Sequence, residues 1–310
     1  MIKPPRLKPG GTIGVVSPSS PPEKEFVDQA RQRLEAMGFR VVYGQHIFDR
    51  RGYLAGTDQD RANDLVSMLA SPDVDAVIAA RGGYGSGRII PYIDWERVAA
   101  HPKPFVGFSD ITALHLAFGR FLGWVTFQGA MLETLGRRQR DVSWESLLDA
   151  LTRPGPLGGI YNPANGSPVL TIVPGKARGL LTGGNLSLLA ASIGTPYAVQ
   201  AEGRILLIED VDEAPYRIDR MLNQLKQAGV LDCAAGFVIG ECIRCRDDRD
   251  EQKTLTLAEV LDDYFLPLGK PTIYGLAVGH GDEILTVPFG VMAQVDADNG
   301  RLIIEETATS

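Results

Sequence analysis

Three residues capable of acyl-transfer chemistry stand where apolar stretches of the sequence end or begin. Ser109 follows one such stretch and precedes a helical pattern, Glu209 ends another, and His280 lies between two glycines before a third. A hydroxyl, a carboxylate and an imidazole are the three groups that serine hydrolases combine. Taken together, the three residues indicate a catalytic constellation more strongly than any one of them alone.

Each of these residues also has an ordinary structural interpretation. Ser109 could simply cap the helix that follows it, as serine commonly does, and Glu209 could begin a solvated loop. A lone histidine such as His280 is more often structural than catalytic. The turn at Ser109 also departs from the G-x-S-x-G elbow of α/β-hydrolases, because Ile111 stands where the second glycine should be. An α/β-hydrolase is therefore disfavoured, and a ligand-binding module without chemistry stays open as an alternative.

A glycine-rich segment, Ala80–Arg88, follows a predicted strand and leads into a helical pattern. Its spacing matches neither a phosphate-binding loop nor a dinucleotide-binding loop. Glycines do let backbone N–H groups approach a ligand closely, so the segment could supply one half of an oxyanion hole. The other half would be the N–H of Asp110. A plain tight turn is the alternative.

The elements that would position these residues differ between the two halves of the chain. The first half alternates short apolar runs with amphipathic segments, which predicts a parallel sheet with helices on both faces. Strands are predicted at Thr12–Val16, Arg40–Tyr43, Val74–Ala80, Phe105–Phe108 and Trp124–Phe127. Helices are predicted at about Glu23–Met37, Asp58–Ala70, Gly87–Ile93 and Ile111–Phe118.

A stretch rich in Pro, Gly and Asn, residues 153–168, has no periodicity and predicts a linker between domains at 1–152 and 169–310. Beyond it the strands lie closer together, which predicts an α+β domain with a mixed or antiparallel sheet. These strands are Gly179–Leu181, Ile205–Ile208, Gly236–Ile239, Ile284–Val287, Val291–Val295 and Leu302–Glu305. Helices are predicted at Pro215–Ala228 and Leu255–Tyr264.

The composition limits the partners and the compartment. A net charge of −7 over 310 residues argues against nucleic acid or an anionic membrane surface as a partner. No apolar run has the length of a signal peptide core or a membrane span, so a cytoplasmic location is expected. Three cysteines fit a reducing compartment, and Cys242 and Cys245 are expected to be buried or semi-buried rather than zinc ligands, because a structural zinc site needs about four ligands.

Several segments, in order along nearly the whole chain, resemble the LD-carboxypeptidase family. They are the opening LKPGGTIGVVSPSSP, ARGGYG (Ala80–Gly85), GFSDITALHLAF (Gly107–Phe118), LLTGGNLSLLAASIGTP (Leu180–Pro196), LLIEDVDEAPYRIDRMLNQL (Leu206–Leu225) and GLAVGHGDE (Gly275–Glu283). The resemblance implies a flavodoxin-like, class I amidotransferase-like N-terminal domain and a C-terminal domain of mixed strands. The active site would lie at their junction.

The resemblance also implies the roles of individual residues. The nucleophile is expected at Ser109, the acid at Glu209 and the general base at His280. The oxyanion hole is expected on the backbone of Asp110 and of the Gly82–Gly83 turn, with Gly83 favoured. No metal or organic cofactor is expected.

The substrate class that follows from the resemblance is a muropeptide, cut between the L-centre of a diamino acid and a terminal D-alanine in cell-wall recycling. A carboxypeptidase must hold a free carboxylate, for which Arg81 and the N–H groups near Ser19 and Ser20 are the candidates. Microcin-immunity members of the family, which cut an acyl–nucleotide amide, are the rival. A homodimer is expected from the family alone.

Overall fold

The computed structural model describes residues 1–164, 166–247 and 253–310. The chain divides into two units. The first contains Met1–Gly155, Thr286–Gly290 and Thr307–Ser310, and the second contains Pro156–Leu285 and Val291–Glu306. None of the helices in these described ranges combines the length and the apolarity that crossing a bilayer requires.

Strands and helices are labelled in chain order over the described residues. The strands are β1 (Thr12–Val16), β2 (Arg40–Tyr43), β3 (Ala76–Ala79), β4 (Phe105–Gly107), β5 (Thr126–Gln128), β6 (Gly158–Ile160), β7 (Leu170–Val173), β8 (Lys176–Asn185), β9 (Ile205–Val211), β10 (Gly236–Ile243), β11 (Thr272–Leu276), β12 (Val287–Phe289), β13 (Met292–Asp296) and β14 (Arg301–Ile304). The helices are α1 (Lys24–Ala36), α2 (Asp58–Ala70), α3 (Ser86–Ile89), α4 (Trp95–Ala99), α5 (Thr112–Phe121), α6 (Leu132–Arg138), α7 (Asp141–Thr152), α8 (Leu186–Ser192), α9 (Pro215–Gln227), α10 (Val230–Cys233) and α11 (Leu257–Phe265).

The sheet of the first unit has the strand order β12-β5-β4-β3-β1-β2. Strands β1 to β5 run parallel, and β12 pairs antiparallel with β5. Every residue of β1, β3, β4 and β5 is buried, which explains why these strands are almost continuously apolar in the sequence. The chain leaves β1 toward β2 on one side and continues from β3 on the other. The carboxyl ends of β1 and β3 therefore flank the crevice in which open parallel sheets bind ligands.

The sheet of the second unit has the order β6-β14-β13-β8-β9-β10-β11-β7. Its centre, β8 to β11, is parallel, whereas β13, β14, β6 and β7 pair antiparallel. The mixed sheet expected from the sequence is confirmed. Helix α9 buries its apolar stripe, which includes Ile218, Leu222 and Leu225. The residue spacing of that stripe is the helical periodicity from which α9 was predicted.

The structure adds elements that were not predicted, among them β7, α6, α7 and α8, and it differs from the sequence-based organisation at the linker, at the domain division and at one strand. The stretch 153–168 contains β6, which pairs with β14, although its Asn165 lies outside the described residues. The domain expected at 169–310 is not contiguous, because Thr286–Gly290 and Thr307–Ser310 belong to the first unit. The strand expected at Ile284–Val287 begins only at Val287, because β12 forms there against β5 while Leu285 is held by a backbone bond to Ala277.

Candidate active site

Ser109 follows β4 in a backbone conformation that side chains rarely adopt. Its φ is +62°, in the left-handed region, where a residue other than glycine is strained. It opens a short 3-10 turn, Ser109–Ile111, that leads into α5, and the N-cap residues of the turn and of the helix are Phe108 and Ile111. Ser109 is therefore not a helix cap. A strained serine at a strand-to-helix turn is the arrangement that exposes a nucleophilic hydroxyl.

The Asp110 side chain ties the turn after β4 to the loops that follow β1 and β3. Its buried carboxylate accepts hydrogen bonds from the Ser19 hydroxyl at 2.5 Å and from the Ser86 N–H at 2.7 Å. The Ser86 hydroxyl in turn donates to the Asp110 carbonyl. Three loops at the carboxyl edge of the sheet are thus fixed around Ser109.

The glycine turn after β3 packs directly against Ser109. A β-carbon added to Gly82 would lie 3.2 Å from the Ser109 Cβ. Gly83 has a φ of +99°, and a β-carbon there would lie 2.4 Å from the Ser20 Oγ. The Ser20 N–H donates to the Gly82 carbonyl at 3.1 Å, and the Tyr84 N–H donates to the Ser20 hydroxyl at 3.2 Å. Only glycine fits at position 83, because the turn packs closely against Ser20 and its backbone has a positive φ.

The two serines expected to help bind a substrate carboxylate have other partners. Ser19 is fully buried and donates its hydroxyl to Asp110. The Ser20 N–H is taken by the Gly82 carbonyl, and its hydroxyl accepts from Tyr84. Both side chains therefore support the loops around Ser109, and the Ser20 N–H is already paired with the Gly82 carbonyl, while a role of the N–H groups near Ser19 in binding a carboxylate stays a prediction.

Arg81 keeps a side chain that is partly exposed beside the same turn. Its Nη1 donates to the Pro21 carbonyl at 3.2 Å and lies 3.7 Å from the Glu133 Oε2. Glu133 is buried and also accepts from Arg137 at 2.7 Å. Arg81 is therefore oriented by a carboxylate while 41% of its side chain remains exposed. It stays a candidate for binding an anionic group.

In the second unit, Glu209 and His280 form a hydrogen-bonded pair that is partly buried. Glu209 lies on β9 with no solvent exposure, and its Oε2 is 2.7 Å from the His280 Nδ1. His280 lies in the loop after β11, with 16% of its side chain exposed. Burial raises the pKa of the Glu209 carboxyl, and the hydrogen bond and charge of His280 oppose that rise. A proton on Nδ1, donated to Glu209, leaves Nε2 to accept a proton from another group.

Two glycines make room for the Glu209 carboxylate. A β-carbon added to Gly279 would lie 2.5 Å from the Glu209 Oε2. One added to Gly240, in the middle of β10, would lie 3.1 Å from the Glu209 Cβ and 2.7 Å from the Val278 carbonyl. The glycine beside His280 is therefore required by close approach to the carboxylate.

The neighbouring carboxylate, Asp210, has a separate structural task. It accepts from the Asn185 amide at 3.0 Å, and from the N–H and the hydroxyl of Ser187 at 3.0 and 2.8 Å. These bonds cap the start of α8. Asn185 lies beside both carboxylates, because it is also the register partner of Glu209 on β8 and its side chain lowers the pKa of the Glu209 carboxyl.

The known proteins most informative for this chain cover both units. The N-terminal and C-terminal domain models of LD-carboxypeptidases match residues 13–129 and 178–295. A probable murein peptide carboxypeptidase of Bacillus subtilis is 41% identical over 308 residues, which cover 98% of this chain and 94% of that protein. The chain belongs to the LD-carboxypeptidase family.

Solved structures of this family have the same fold. The microcin C7 self-immunity protein MccF in its apo state superposes with a TM-score of 0.90 at 26% identity, covering 100% of both chains. The muramoyltetrapeptide carboxypeptidase from Oxalobacter formigenes gives 0.83 at 27% identity, covering 95% of this chain and 98% of the other. The family predicted from the sequence is confirmed, as are a two-domain α/β fold and an enzyme of the carboxypeptidase class.

In this LD-carboxypeptidase Cys242 is half-buried and Cys245 buried, as expected from the sequence, and Cys242 pairs in register with Asp210. His115, on α5, is buried between Phe105 and Phe289, and its Nε2 lies 2.9 Å from the Gly107 carbonyl. Burial lowers the pKa of His115 to about 4, so it stays neutral in the core. Within the described ranges, no three His, Cys, Asp or Glu side chains are placed to share a metal ion.

Sequence reasoning missed the contribution of Gly240 to the Glu209 pocket. The signal was present, because a glycine inside a strand such as β10 often marks a close approach by another group. It also missed that Asp210 is engaged by Asn185 and Ser187. That contact depends on the pairing of β8 with β9, which the local pattern does not reveal.

Proposed function

We propose that this LD-carboxypeptidase hydrolyses the L,D-peptide bond before the terminal D-alanine of muropeptide tetrapeptides, in cell-wall recycling. Ser109 acts as nucleophile, His280 as general base and Glu209 as the residue that orients the imidazole. The observation that carries the proposal is the hydrogen bond of 2.7 Å between His280 and the fully buried Glu209. The murein peptide carboxypeptidase name of the 41% identical relative supports the substrate class.

The reaction begins with the transfer of the Ser109 proton to the His280 Nε2. The serine oxygen attacks the carbonyl carbon of the scissile bond and forms a tetrahedral intermediate. The imidazolium then gives its proton to the leaving nitrogen, and D-alanine departs. Water, deprotonated by the same imidazole, attacks the acyl-enzyme and releases the shortened peptide.

Glu209 supports this cycle by holding the imidazole in one tautomer and by stabilising the imidazolium. The carboxylate lies in a fully buried site, where its attraction to a positive imidazole is screened less than at the surface. In addition, the hydrogen bond to Nδ1 aims Nε2 away from Glu209. Its task is therefore orientation and charge stabilisation rather than proton transfer to the substrate.

The oxyanion is held by backbone N–H groups of Asp110 and of the Gly82–Gly83 turn, with Gly83 favoured. The contact of Gly82 with Ser109 supports this proposal, because it brings the turn beside the attacking oxygen. The Asp110 side chain, through Ser19 and Ser86, holds the turn rigid. Preorganised donors of this kind stabilise the developing negative charge without reorganising during the reaction.

The terminal carboxylate of the substrate is bound by Arg81. Support comes from the exposed part of its side chain and from its position beside the glycine turn. Glu133 orients the guanidinium from behind, at 3.7 Å, and leaves other N–H groups for a ligand. A guanidinium suits this task because its N–H groups match the geometry of a carboxylate.

The nucleophile is tested by labelling with a fluorophosphonate, which reacts with activated serines. The proposal expects modification of the wild-type enzyme at Ser109, found by peptide mapping, and no modification of Ser109→Ala. A His280→Ala variant should label far more slowly, because the serine loses its base. Labelling of the wild-type enzyme and of His280→Ala at the same rate would exclude His280 as the base that activates Ser109.

A second candidate substrate is an acyl–nucleotide amide, cut by the same residues. It is favoured by the TM-score of 0.90 to the microcin C7 self-immunity protein MccF. A panel containing a tetrapeptide and an aminoacyl sulfamoyl adenosine separates the two candidates. The first proposal expects a kcat/KM at least about tenfold higher for the tetrapeptide, since one missing polar contact costs about that much.

Three finer features are proposed along with the activity. The order β2-β1-β3-β4-β5 supports a flavodoxin-like description of the first unit. A cytoplasmic location, tested by cell fractionation, agrees with the negative charge and with the absence of a membrane-spanning helix in the described residues. A homodimer, without nucleic acid or membrane as partner, is tested by light scattering of the purified protein.

A further inference from the structure

Two tyrosines, Tyr53 and Tyr84, stand side by side on the surface of the first unit. Tyr53 is 64% exposed and Tyr84 is 54% exposed. Their ring centroids are 5.5 Å apart, with an angle of 71° between the ring planes. Single exposed apolar side chains are common on protein surfaces, whereas adjoining aromatic rings create a patch that a ligand can cover.

The backbone holds both rings in place. The Tyr84 N–H donates to the Ser20 hydroxyl at 3.2 Å, and Tyr84 lies between two glycines with positive φ. Around Tyr53, reciprocal backbone bonds join Arg51 and Leu54 at 2.8 and 3.1 Å. The two loops also touch, since a β-carbon added to Gly85 would lie 2.5 Å from the Leu54 Cδ2. The pair is therefore preorganised.

Tyr84 lies close to Ser109 in space. Gly82 packs against Ser109, and Tyr84 follows it by two residues, so its Cα lies within about 8 Å of that glycine. In a muropeptide the sugar is joined to the first of four amino acids, and three residues precede the cut bond. An extended chain of three residues spans about 10 Å. The sugar of a bound substrate would therefore reach the region of the two rings.

Polar groups adjoin the rings as well. The Arg88 Nη2 donates to the Asp58 Oδ2 at 2.8 Å. Asp58 also accepts from Arg61, whose Nη1 donates to the carbonyl of Gly85, the residue after Tyr84, at 2.9 Å. A pyranose has one apolar face of C–H groups and a rim of hydroxyl and amide groups. Aromatic faces beside a carboxylate–guanidinium pair match both parts.

We propose that Tyr53 and Tyr84 form a subsite for the N-acetylated sugar of the substrate, with Asp58 and Arg88 at its polar edge. This inference rests on the proposed function and adds a second recognition element beyond the peptide. The subsite favours sugar-linked tetrapeptide over free tetrapeptide. A nucleobase would also stack on aromatic rings and is the alternative occupant that the experiment must exclude.

The test measures kcat/KM for N-acetylmuramoyl-tetrapeptide and for the free tetrapeptide, and takes their ratio. Tyr53→Ala and Tyr84→Ala should each lower the ratio by about threefold to tenfold, the effect of one lost aromatic contact. Tyr92→Ala, which removes a tyrosine of the same unit that is 48% exposed, should leave the ratio at the wild-type value. Tyr53→Phe and Tyr84→Phe, which keep the aromatic ring, should each retain most of the wild-type ratio.

An unchanged ratio in both alanine variants would overturn the proposal, as would an equal fall in Tyr92→Ala. If the variants instead impair only the hydrolysis of an aminoacyl sulfamoyl adenosine, the pair binds a base and the sugar subsite is wrong. If neither peptide releases D-alanine, the proposed function fails separately. Binding of N-acetylmuramic acid, measured by saturation-transfer NMR, then still decides whether wild type binds the sugar and the tyrosine variants do not.

Discussion

The substitution Gly279→Ala should disable the enzyme without removing any functional group. The added β-carbon would lie 2.5 Å from the Glu209 Oε2, 3.0 Å from its Cγ and 3.1 Å from its Cδ. Carbon contacts are normally about 3.5–4.0 Å, so the carboxylate must shift by about 1 Å. The hydrogen bond to His280 would then be stretched or broken. A displacement of about 1 Å at a catalytic group costs about a hundredfold in rate.

The assay is kcat for D-alanine release from a tetrapeptide, with the melting temperature measured in parallel to verify folding. Gly155→Ala is the control, because no atom lies within 4 Å of the position where its β-carbon would be. The substitution is then repeated in a Glu209→Ala background, where the contact with the carboxylate is absent and only the strain of a side chain at φ +158° remains. There it should cost much less than in the wild-type background, since two changes that act through one contact are not additive.

Two results would refute this reasoning. The first is a folded Gly279→Ala enzyme that keeps more than half of the wild-type kcat. The second is an equal loss in the wild-type and Glu209→Ala backgrounds, which would mean that Gly279 acts by some route other than the carboxylate.

Three further predictions concern the nucleophile, the substrate carboxylate and the buried His115. Ser109→Ala should lower kcat by roughly three orders of magnitude or more with little change in peptide affinity, and Glu209→Gln should lower kcat less. Activity is measured by D-alanine release. A Ser109→Ala enzyme that keeps a tenth of the wild-type activity would exclude Ser109 as the nucleophile. Amidation of the peptide C-terminus should reduce kcat/KM by roughly tenfold to several hundredfold relative to the free carboxylate. Arg81→Ala should remove most of this difference between the two peptides. Equal rates of the wild-type enzyme on the free and the amidated peptide would favour a broader amidase. For His115, the pKa of about 4 in the fold against 6.5 in the unfolded chain means that only the unfolded state takes up the proton as pH falls below 6.5. The free energy of unfolding should therefore drop by about 2 kcal/mol between pH 7 and pH 5 from this group, and urea titrations of His115→Phe should lack that part of the drop.

The position of the functional residues followed from local sequence patterns. Ser109 was predicted from an apolar run that gives way to a helical pattern, and β4 and α5 lie on either side of it in the structure. Glu209 was predicted from the end of an apolar stretch, although β9 continues to Val211. Strand and helix periodicity is local, so these elements can be predicted without knowing the fold.

Contacts between distant segments could not be predicted in this way. The Ser19 hydroxyl bonds to Asp110, which is 91 residues away in the sequence, and no local pattern indicates that contact. Strand β12 appeared to belong wholly to the second domain, yet it completes the sheet of the first unit against β5. Both features depend on strand pairing and register, which the local pattern leaves open.

The roles of Glu209 and Asp210 illustrate the same limit. Two adjacent carboxylates at the end of a strand are equivalent in the sequence. Only the side-chain contacts in the folded protein separate them, because Asp210 accepts from Asn185 and Ser187 whereas Glu209 contacts His280. The family resemblance assigned the acid to Glu209, whose buried side chain contacts the imidazole, and its catalytic role stays a prediction.

The most direct test of the central claim is mass spectrometry of a purified muramoyl-tetrapeptide after incubation with the enzyme. If the enzyme is the proposed LD-carboxypeptidase, we expect loss of one alanine, recovery of free D-alanine and a tripeptide product, with no conversion by Ser109→Ala. An unchanged tetrapeptide, cleavage at another bond, or equal conversion by Ser109→Ala would contradict it.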